Sequence, residues 1–311
     1  MKNLLILFFL LTVTSCYGLN KLDVKLTVVD ENQEPVPDAN VRMIFYALNT
    51  PELVTAVTDK EGVVTAHGET YIELEVSAEK EGYYKSQLKF DTRKKDDNGK
   101  LVVSDQDIKL ILRKKVNPIA LYAKKVSIKF PNTDKPIGFD LATGSFVAPY
   151  GIGQNTDLYL TMEKEVKSNK HFYQSVIITF PQEMDGFTKA VAKNTYRSSE
   201  LKIDRKASIE GYGKSLDFER NKVPNEGYNM SNNLEDDCFL RIRTVVNEEG
   251  EIIKANYAKF KCESLYGVLS DSPGIRFTYY FNPEVNDRNL EFDPKRNLFT
   301  SLKNEELVFL P

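Results

Sequence analysis

Apolar and polar residues alternate along many short segments of this chain, and that period of two constrains its fold more than any other feature. The pattern is clearest at Ile275, Phe277, Tyr279 and Phe281. Successive side chains of a β-strand point to opposite faces of the sheet, so such a segment predicts a strand with one buried face. Turn residues separate these segments, and the sequence therefore predicts a mostly β protein.

The first third of the chain, residues 22–114, contains about seven short segments of this kind. It opens with an alternating segment at 22–28. Near its end, residues 97–99 are Asp-Asn-Gly, a signal for a hairpin turn. Short strands joined by frequent turns predict a sandwich of two sheets for this region.

Four motifs in the same region resemble the carboxypeptidase regulatory-like domain. They lie at residues 26–30, 34–41, 58–64 and 81–83. The resemblance implies a transthyretin-like, seven-stranded β-sandwich at 22–114. Members of that family are accessory modules of secreted proteins, so the resemblance implies neither peptidase activity nor any catalytic residue.

A charged run followed by Asn-Pro, at residues 113–118, predicts a domain boundary. The remaining residues, 119–311, have the alternation of a second β-rich domain of unknown function. This half resembles modules of uncharacterised secreted bacterial proteins. Within it we expect a short helix at 183–194 and an extended polar loop at 205–237.

The amino terminus carries an apolar run at residues 4–13, preceded by Lys2. A membrane-spanning helix needs roughly 20 apolar residues, so a run of this length is typical of a secretion signal. Residues 13–16 are Val-Thr-Ser-Cys and resemble the bacterial lipobox, in which the cysteine receives a lipid. The resemblance implies a lipoprotein signal peptide at 1–15, lipidation of Cys16 and a short tether at 16–21. An ordinary signal peptide followed by a chance cysteine is the alternative.

Once Cys16 is assigned to the lipid, Cys238 and Cys262 remain as a pair. They flank a hairpin pattern whose turn, at residues 247–250, is Asn-Glu-Glu-Gly, with glycine at the position that favours a left-handed backbone. Folding back about this turn brings the two cysteines onto neighbouring strands. The sequence therefore predicts a disulfide between them, with two thiols as the alternative.

Residues that could carry out catalysis are sparse. The net charge is only −3, with basic and acidic residues interspersed, so nucleic-acid binding is not expected. The chain has two histidines, His67 and His171, and neither lies in a motif typical of a hydrolase or a zinc site. We expect no metal and no cofactor.

Two polar loops are nevertheless candidates for ligand contact. Residues 138–153 combine glycines with aromatic residues, so their backbone could approach a ligand closely. Residues 286–297 are dense in carboxylates and guanidinium groups. If the two loops meet, a polar pocket would be lined by Asp140, Asp287, Arg288 and Asp293. Ordinary turns and surface salt bridges are the alternatives.

These observations favour a non-catalytic, lipid-anchored accessory or binding protein of the cell envelope. Its expected partners are the membrane, through the lipid, and a protein or glycan of the envelope. Tyr17, rather than aspartate, follows Cys16, which favours the outer membrane in a cell that has one. Two alternatives remain open: a carbohydrate-binding lipoprotein, and a carboxylate-dependent hydrolase in the carboxyl-terminal domain.

Overall fold

The computed structural model describes residues 20–47, 50–131, 135–190, 192–230 and 237–308 of the chain. In these residues the protein is mostly β, as the sequence predicts, and its helical elements are short 3₁₀ turns. No helix in the described residues is long and apolar enough to cross a membrane. The chain divides into two compact units between Lys114 and Lys115, in the charged run at 113–118.

Unit 1, which ends at Lys114, is built around strand β1. The strands are β1 Asn20–Val29, β2 Asn40–Phe45, β3 Glu52–Val57, β4 Val63–Thr70, β5 Glu73–Glu79, β6 Ser86–Asp91, β7 Arg93–Lys95, β8 Leu101–Val103 and β9 Gln106–Ile111. One sheet has the order β4-β1-β9 and the other has the order β3-β2-β5-β6. Strands β7 and β8 form a separate ribbon, which the Asp-Asn-Gly turn at 97–99 connects, as predicted.

The core of unit 1 lies between its three-stranded and four-stranded sheets. Every second residue of β1 from Leu22 to Val28 is buried, and these side chains cluster with Val41, Met43 and Phe45 of β2. Strand β1 pairs antiparallel with β4 and parallel with β9. The parallel pairing joins the two ends of the unit, so the seven strands of the two sheets close around one core.

Unit 2 begins at Lys115 and contains the remaining strands. They are β10 Tyr122–Lys129, β11 Ile137–Asp140, β12 Ser145–Phe146, β13 Leu158–Ser168, β14 His171–Thr179, β15 Gly186–Ala190, β16 Ser215–Val223, β17 Gly227–Met230, β18 Asp237–Val246, β19 Ile252–Tyr266 and β20 Gly274–Asn282. They form a five-stranded sheet, β10-β20-β19-β18-β15, and a six-stranded sheet, β12-β11-β13-β14-β16-β17.

Unit 2 is also a sandwich, because a single large apolar cluster takes side chains from both of its sheets. Phe139 and Phe218 come from the six-stranded sheet, whereas Phe260, Phe277 and Tyr279 come from the five-stranded sheet. The ring centroids of Phe260 and Phe277 lie 4.9 Å apart in a stacked arrangement. Aromatic contacts of this kind fill the interior and hold the two sheets together.

Two sequence expectations for unit 2 are wrong. The helix expected at 183–194 is replaced over much of its length by strand β15, which pairs antiparallel with β18. A Cβ at Gly186 would overlap the carbonyl oxygen of Gly213, so this glycine permits a close backbone approach at the sheet edge. The loop expected at 205–237 contains β16 and β17, because Leu216 and Phe218 are buried against the core despite their polar neighbours.

Candidate functional site

The most prominent charged cluster in the interior of unit 2 joins Asp140, Asp157 and Arg243. Asp140 ends β11 and is 1% exposed, and Asp157 precedes β13 and is fully buried. The Arg243 guanidinium donates through Nε to Asp157 Oδ1 at 2.6 Å and through Nη2 to Asp157 Oδ2 at 2.9 Å. The same Nη2 lies 3.4 Å from Asp140 Oδ1. One cation therefore serves two buried carboxylates.

Backbone amides supply the other hydrogen bonds of these carboxylates. Asp140 Oδ2 accepts from the amides of Gln154 at 2.9 Å and Asn155 at 3.2 Å, and its Oδ1 accepts from Ala142. Asp157 Oδ2 accepts from the Leu141 amide at 2.8 Å. Each carboxylate oxygen is thus engaged by a protein donor. Such an arrangement holds the backbone of residues 141–155 against the two carboxylates.

Arg243 occupies an unusual position in strand β18. It lies in an irregular part of the pairing with β19, between Ile242 and Val245, and its φ is +54°. Its guanidinium carbon is 4.9 Å from the centroid of the Phe281 ring. A left-handed backbone at a residue other than glycine is costly, and here it directs the side chain toward the two carboxylates.

Burial raises the pKa of Asp157 above its usual value, although the hydrogen bonds and charge of Arg243 act in the opposite direction. The pKa of Arg243 is raised: burial acts to lower it, but the contacts with Asp157 and Asp140 outweigh that effect. These three charged groups are therefore held together at a substantial desolvation cost. Their contacts join the six-stranded sheet to the five-stranded sheet.

The other predicted ligand-contact residues lie in the loop at 286–297 and bond to that loop and to nearby segments. Asp287 accepts from the Asn289 amide and the Asn282 side chain, and the Arg288 guanidinium donates to the Ala207 carbonyl at 2.8 Å. Asp293 caps a 3₁₀ turn by accepting from the Lys295 amide at 3.0 Å. In the described part of the chain, no hydrogen bond or ion pair joins any of them to Asp140. A pocket lined by all four residues therefore stays a prediction.

The glycines of the loop at 138–153 are explained mainly by internal packing. A Cβ at Gly151 would overlap the Phe146 carbonyl oxygen, and one at Gly153 would lie 3.0 Å from the Asp140 Cβ. Gly144, with φ +63°, closes the turn between β11 and β12. The same loop also forms part of the wall of an open cavity of about 630 Å³.

A second cavity, of about 530 Å³, lies on the face of the five-stranded sheet that points away from the core. Its floor is formed by Lys261, Thr278 and Tyr280. Two irregular segments form its walls, with Lys202 and Ile203 in one and Leu307 and Val308 in the other. The cavity therefore combines apolar side chains with charges of both signs, which is typical of a binding site that orients a ligand by a few polar contacts.

The charges in this second cavity are partly paired. Lys125 Nζ lies 3.0 Å from Glu263 Oε2, and the Thr278 hydroxyl donates to Glu263 Oε1 at 2.7 Å. Burial raises the pKa of Tyr280, so its hydroxyl stays protonated at neutral pH. Sequence reasoning does not find this site, because its walls come from irregular segments that carry no motif.

The predicted disulfide is not present. Cys238 and Cys262 are both buried thiols, in the apolar core of unit 2. The predicted hairpin of β18 and β19 does form, but its register places Cys238 opposite Phe260 rather than opposite Cys262. Burial raises the pKa of the Cys262 thiol, which makes the reactive thiolate scarce.

Cys16 lies outside the described residues, so its lipidation stays a prediction. Of the histidines, His67 is in strand β4, where its ring contacts Asp23 on the exposed surface. His171 begins β14. Within the described ranges, no group of His, Cys, Asp and Glu side chains is arranged to hold a metal ion.

No protein-family model and no curated protein matches the sequence. Solved structures with some likeness include a catechol 1,2-dioxygenase from Acinetobacter radioresistens, with a TM-score of 0.26 and 12% identity over 32% of this chain and 53% of that chain. The chain thus spans about half the length of that dioxygenase.

Two other likenesses extend over most of the chain. BcpA, the major pilin subunit of Bacillus cereus, has a TM-score of 0.23 and 12% identity over 83% of this chain and 95% of that chain. A DUF3823 family protein from Bacteroides uniformis has a TM-score of 0.18 and 13% identity over 84% and 96% of the two chains. At such TM-scores, none of these likenesses supports a statement about function.

Proposed function

We propose that this protein is a non-catalytic, lipid-anchored binding protein of the cell envelope. The observation that carries the binding role is the cavity of about 530 Å³ on the outward face of the five-stranded sheet, with its mixed apolar and charged lining. Ligand pockets have volumes of roughly 300–1,000 Å³ and a predominantly apolar wall with a few polar groups. The cavity of unit 2 has a volume in that range and apolar side chains in its lining, together with more charged groups than such a pocket usually contains.

The state of the buried carboxylates supports a non-catalytic role. A glycoside hydrolase needs one carboxyl group that can donate a proton and another that can attack or activate water. Asp140 and Asp157 are buried, and both contact Arg243 and backbone amides. Both groups are thereby committed to holding the loop, so we assign them no part in hydrolysis.

The lipid anchor is the part of the proposal that rests on sequence alone. Residues 13–16 supply the lipobox-like motif, and unit 1, with its resemblance to an accessory module, follows close behind. We propose that Cys16 carries the lipid and that the anchored protein lies in the outer membrane where the cell has one. Metabolic labelling with a clickable fatty acid tests this anchor: the wild type should be labelled and Cys16→Ser should not. Equal labelling of both would refute the anchor.

The binding role is tested by photo-crosslinking in intact cells. A p-benzoylphenylalanine at position 202, an exposed position in the cavity wall, should give a discrete crosslinked adduct. The same residue at position 254, which is exposed on β19 but outside the cavity lining, is the matched control and should give none. Identical adduct patterns at the two positions, or no adduct at either, would contradict a binding role for this cavity.

A further inference from the structure

The cavity of about 630 Å³ beside the glycine-rich loop differs in charge from the cavity of about 530 Å³ on the outward face of the five-stranded sheet. Its lining contains the cations Lys129 and Arg276 and the aromatic residues Tyr150 and Tyr266, and no carboxylate among the described residues. The chain as a whole has a net charge of −3. A concave surface with cations alone is therefore a local departure from the composition, and it favours an anionic ligand.

Strand register explains why the two cations lie on one face. Lys129 of β10 is opposite Gly274 of β20, which is in turn opposite Tyr266 of β19. The next row of opposite residues across the three strands consists of Ser127, Arg276 and Ser264. Directly opposite residues share a face of a sheet, as do residues two apart on a strand. Both rows therefore project from the same side.

Gly274 allows the Tyr266 side chain to lie across the sheet. A Cβ at this position would overlap the Tyr266 ring and would also come within 2.5 Å of the Ile128 carbonyl oxygen. The Tyr266 hydroxyl donates to that carbonyl at 2.9 Å and accepts from the Ser127 hydroxyl at 3.3 Å. The ring is thus fixed as a platform before any ligand binds, which lowers the entropy cost of binding.

Arg276 is positioned against this platform. Its guanidinium carbon lies 5.2 Å from the centroid of the Tyr266 ring. In the part of the chain that the structure describes, its side chain makes no hydrogen bond or ion pair, and the residue is exposed. A stacked guanidinium keeps its planar edge of N–H donors available, and that edge matches the two oxygens of a carboxylate.

Tyr150 brings a second aromatic ring to the same cavity from the glycine-rich loop, and it is 47% exposed. An exposed large aromatic residue at the rim of a cavity is more typical of a contact surface than of a core. The volume of about 630 Å³ can hold a sugar unit or a short oligosaccharide, within the usual range for ligand pockets.

We propose that this cavity binds an acidic saccharide. Arg276, held against the Tyr266 ring, and Lys129 contact its carboxylate, and the exposed ring of Tyr150 contacts its sugar ring. The inference deepens the proposed binding function by naming a ligand class, and it concerns a different cavity from the one tested by crosslinking at position 202. Failure to bind a saccharide would therefore contradict neither the crosslinking at position 202 nor the lipid anchor.

Isothermal titration of the full-length chain in mild detergent with trigalacturonate tests the proposal. The wild type should bind, and the affinity should fall as the NaCl concentration rises from about 50 to about 300 mM, because salt screens exposed charges. Arg276→Gln should weaken binding about tenfold or more, which is the scale of a lost charge-assisted bidentate contact. Tyr150→Ala should also weaken binding, since the exposed ring can be removed without disturbing the core.

Lys254→Gln is the matched control, because it removes one positive charge from an exposed position of β19 outside the cavity. It should bind trigalacturonate as the wild type does. The proposal would be overturned by no binding to the wild type, by equal binding to Arg276→Gln and wild type, or by equal affinity for a neutral trigalactoside. Inorganic phosphate that binds as tightly as trigalacturonate would reduce the cavity to a simple anion site and would overturn the saccharide assignment.

Discussion

Arg243 contacts two carboxylates that are almost completely buried, whereas Arg296 pairs with Asp293 at the surface. Removal of one partner from a buried pair leaves an uncompensated charge and costs roughly 3–5 kcal/mol. We therefore expect Arg243→Ala to lower the free energy of unfolding by about that amount. The exposed pair contributes at most about 1 kcal/mol, so Arg296→Ala is the control. Urea unfolding of both variants checks the difference, and similar losses would show that the buried cluster is not a principal link between the sheets.

Asp185 presents the opposite situation, because no cation among the described residues forms an ion pair with this buried carboxyl. Its Oδ1 accepts from the Thr244 amide at 2.9 Å, and its Oδ2 has no hydrogen-bond partner in the same part of the chain. Burial raises the pKa of this carboxyl. The folded state therefore holds the proton more tightly than the unfolded state, and ionisation costs stability as the pH rises from about 4 through the raised pKa.

From this sign we expect Asp185→Asn to be about 1 kcal/mol more stable than the wild type at pH 7, since it removes a buried charge. At about pH 2.5, well below the unfolded-state pKa of about 3.9, the wild-type carboxyl is protonated in both states and the gain should disappear. Asp293 is the control of opposite sign: burial acts to raise its pKa, but hydrogen bonds from Arg296 and Lys295 outweigh it and lower the pKa. Asp293→Asn should therefore lose stability at pH 7, and a gain there would contradict the assigned signs.

At the scale of strands and turns, Gly62 and Gly82 allow a direct comparison within unit 1. Both have positive φ, +73° and +80°. A Cβ at Gly62 would overlap the Val28 carbonyl oxygen, whereas a Cβ at Gly82 would meet nothing within 4 Å. Gly82→Ala should cost only the left-handed backbone preference, about 1–2 kcal/mol. Gly62→Ala should cost clearly more, because strand β1 must also move. Thermal unfolding measures both, and equal losses would show that the turn relaxes freely.

Strands with a regular period of two can be predicted from the sequence. Strands β1 and β20 lie where the alternation places them, since the alternating apolar residues of each face its own core. Strands β15 and β16 escape such a prediction for a physical reason. Strand β15 is an edge strand in which Gly186 permits a close approach of the Gly213 backbone. Strand β16 buries only Leu216 and Phe218 among polar residues. Local pattern says little where tertiary pairing decides the structure.

The site can be predicted only in part, because its contacts join residues that are far apart in sequence. The glycine-rich loop points to Asp140, but its partner Arg243 lies 103 residues away and comes from a different sheet. The signal that the sequence does carry is the presence of two arginines, at 241 and 243, in an otherwise apolar strand, which indicates a buried polar contact. Nothing in the sequence indicates that Arg243 meets two carboxylates whereas Arg241 donates to backbone carbonyls, since that depends on how the two sheets pack.

At the scale of the whole molecule, unit 1 has the features of an independently folding domain. Among the described residues, its apolar cluster draws on residues of this unit alone, and the chain divides directly after Lys114. Strand β9 contributes Ile108 and Leu110 to this cluster and pairs in parallel with β1. Because β1 is the first described strand of the unit and β9 is its last, the core is complete only when the last strand is in place.

We therefore expect a fragment of residues 20–114 to unfold cooperatively in urea, with an m-value of about 1–3 kcal/mol/M. A fragment of residues 20–104, which lacks β9, is the matched control. It leaves the parallel edge of β1 unpaired and exposes the apolar side chains that Ile108 and Leu110 cover, so it should show no cooperative transition. Circular dichroism with urea titration distinguishes the two fragments. Equal cooperativity would mean that the parallel pairing adds nothing to the stability of the sandwich, and that the core of unit 1 is already complete without its last strand.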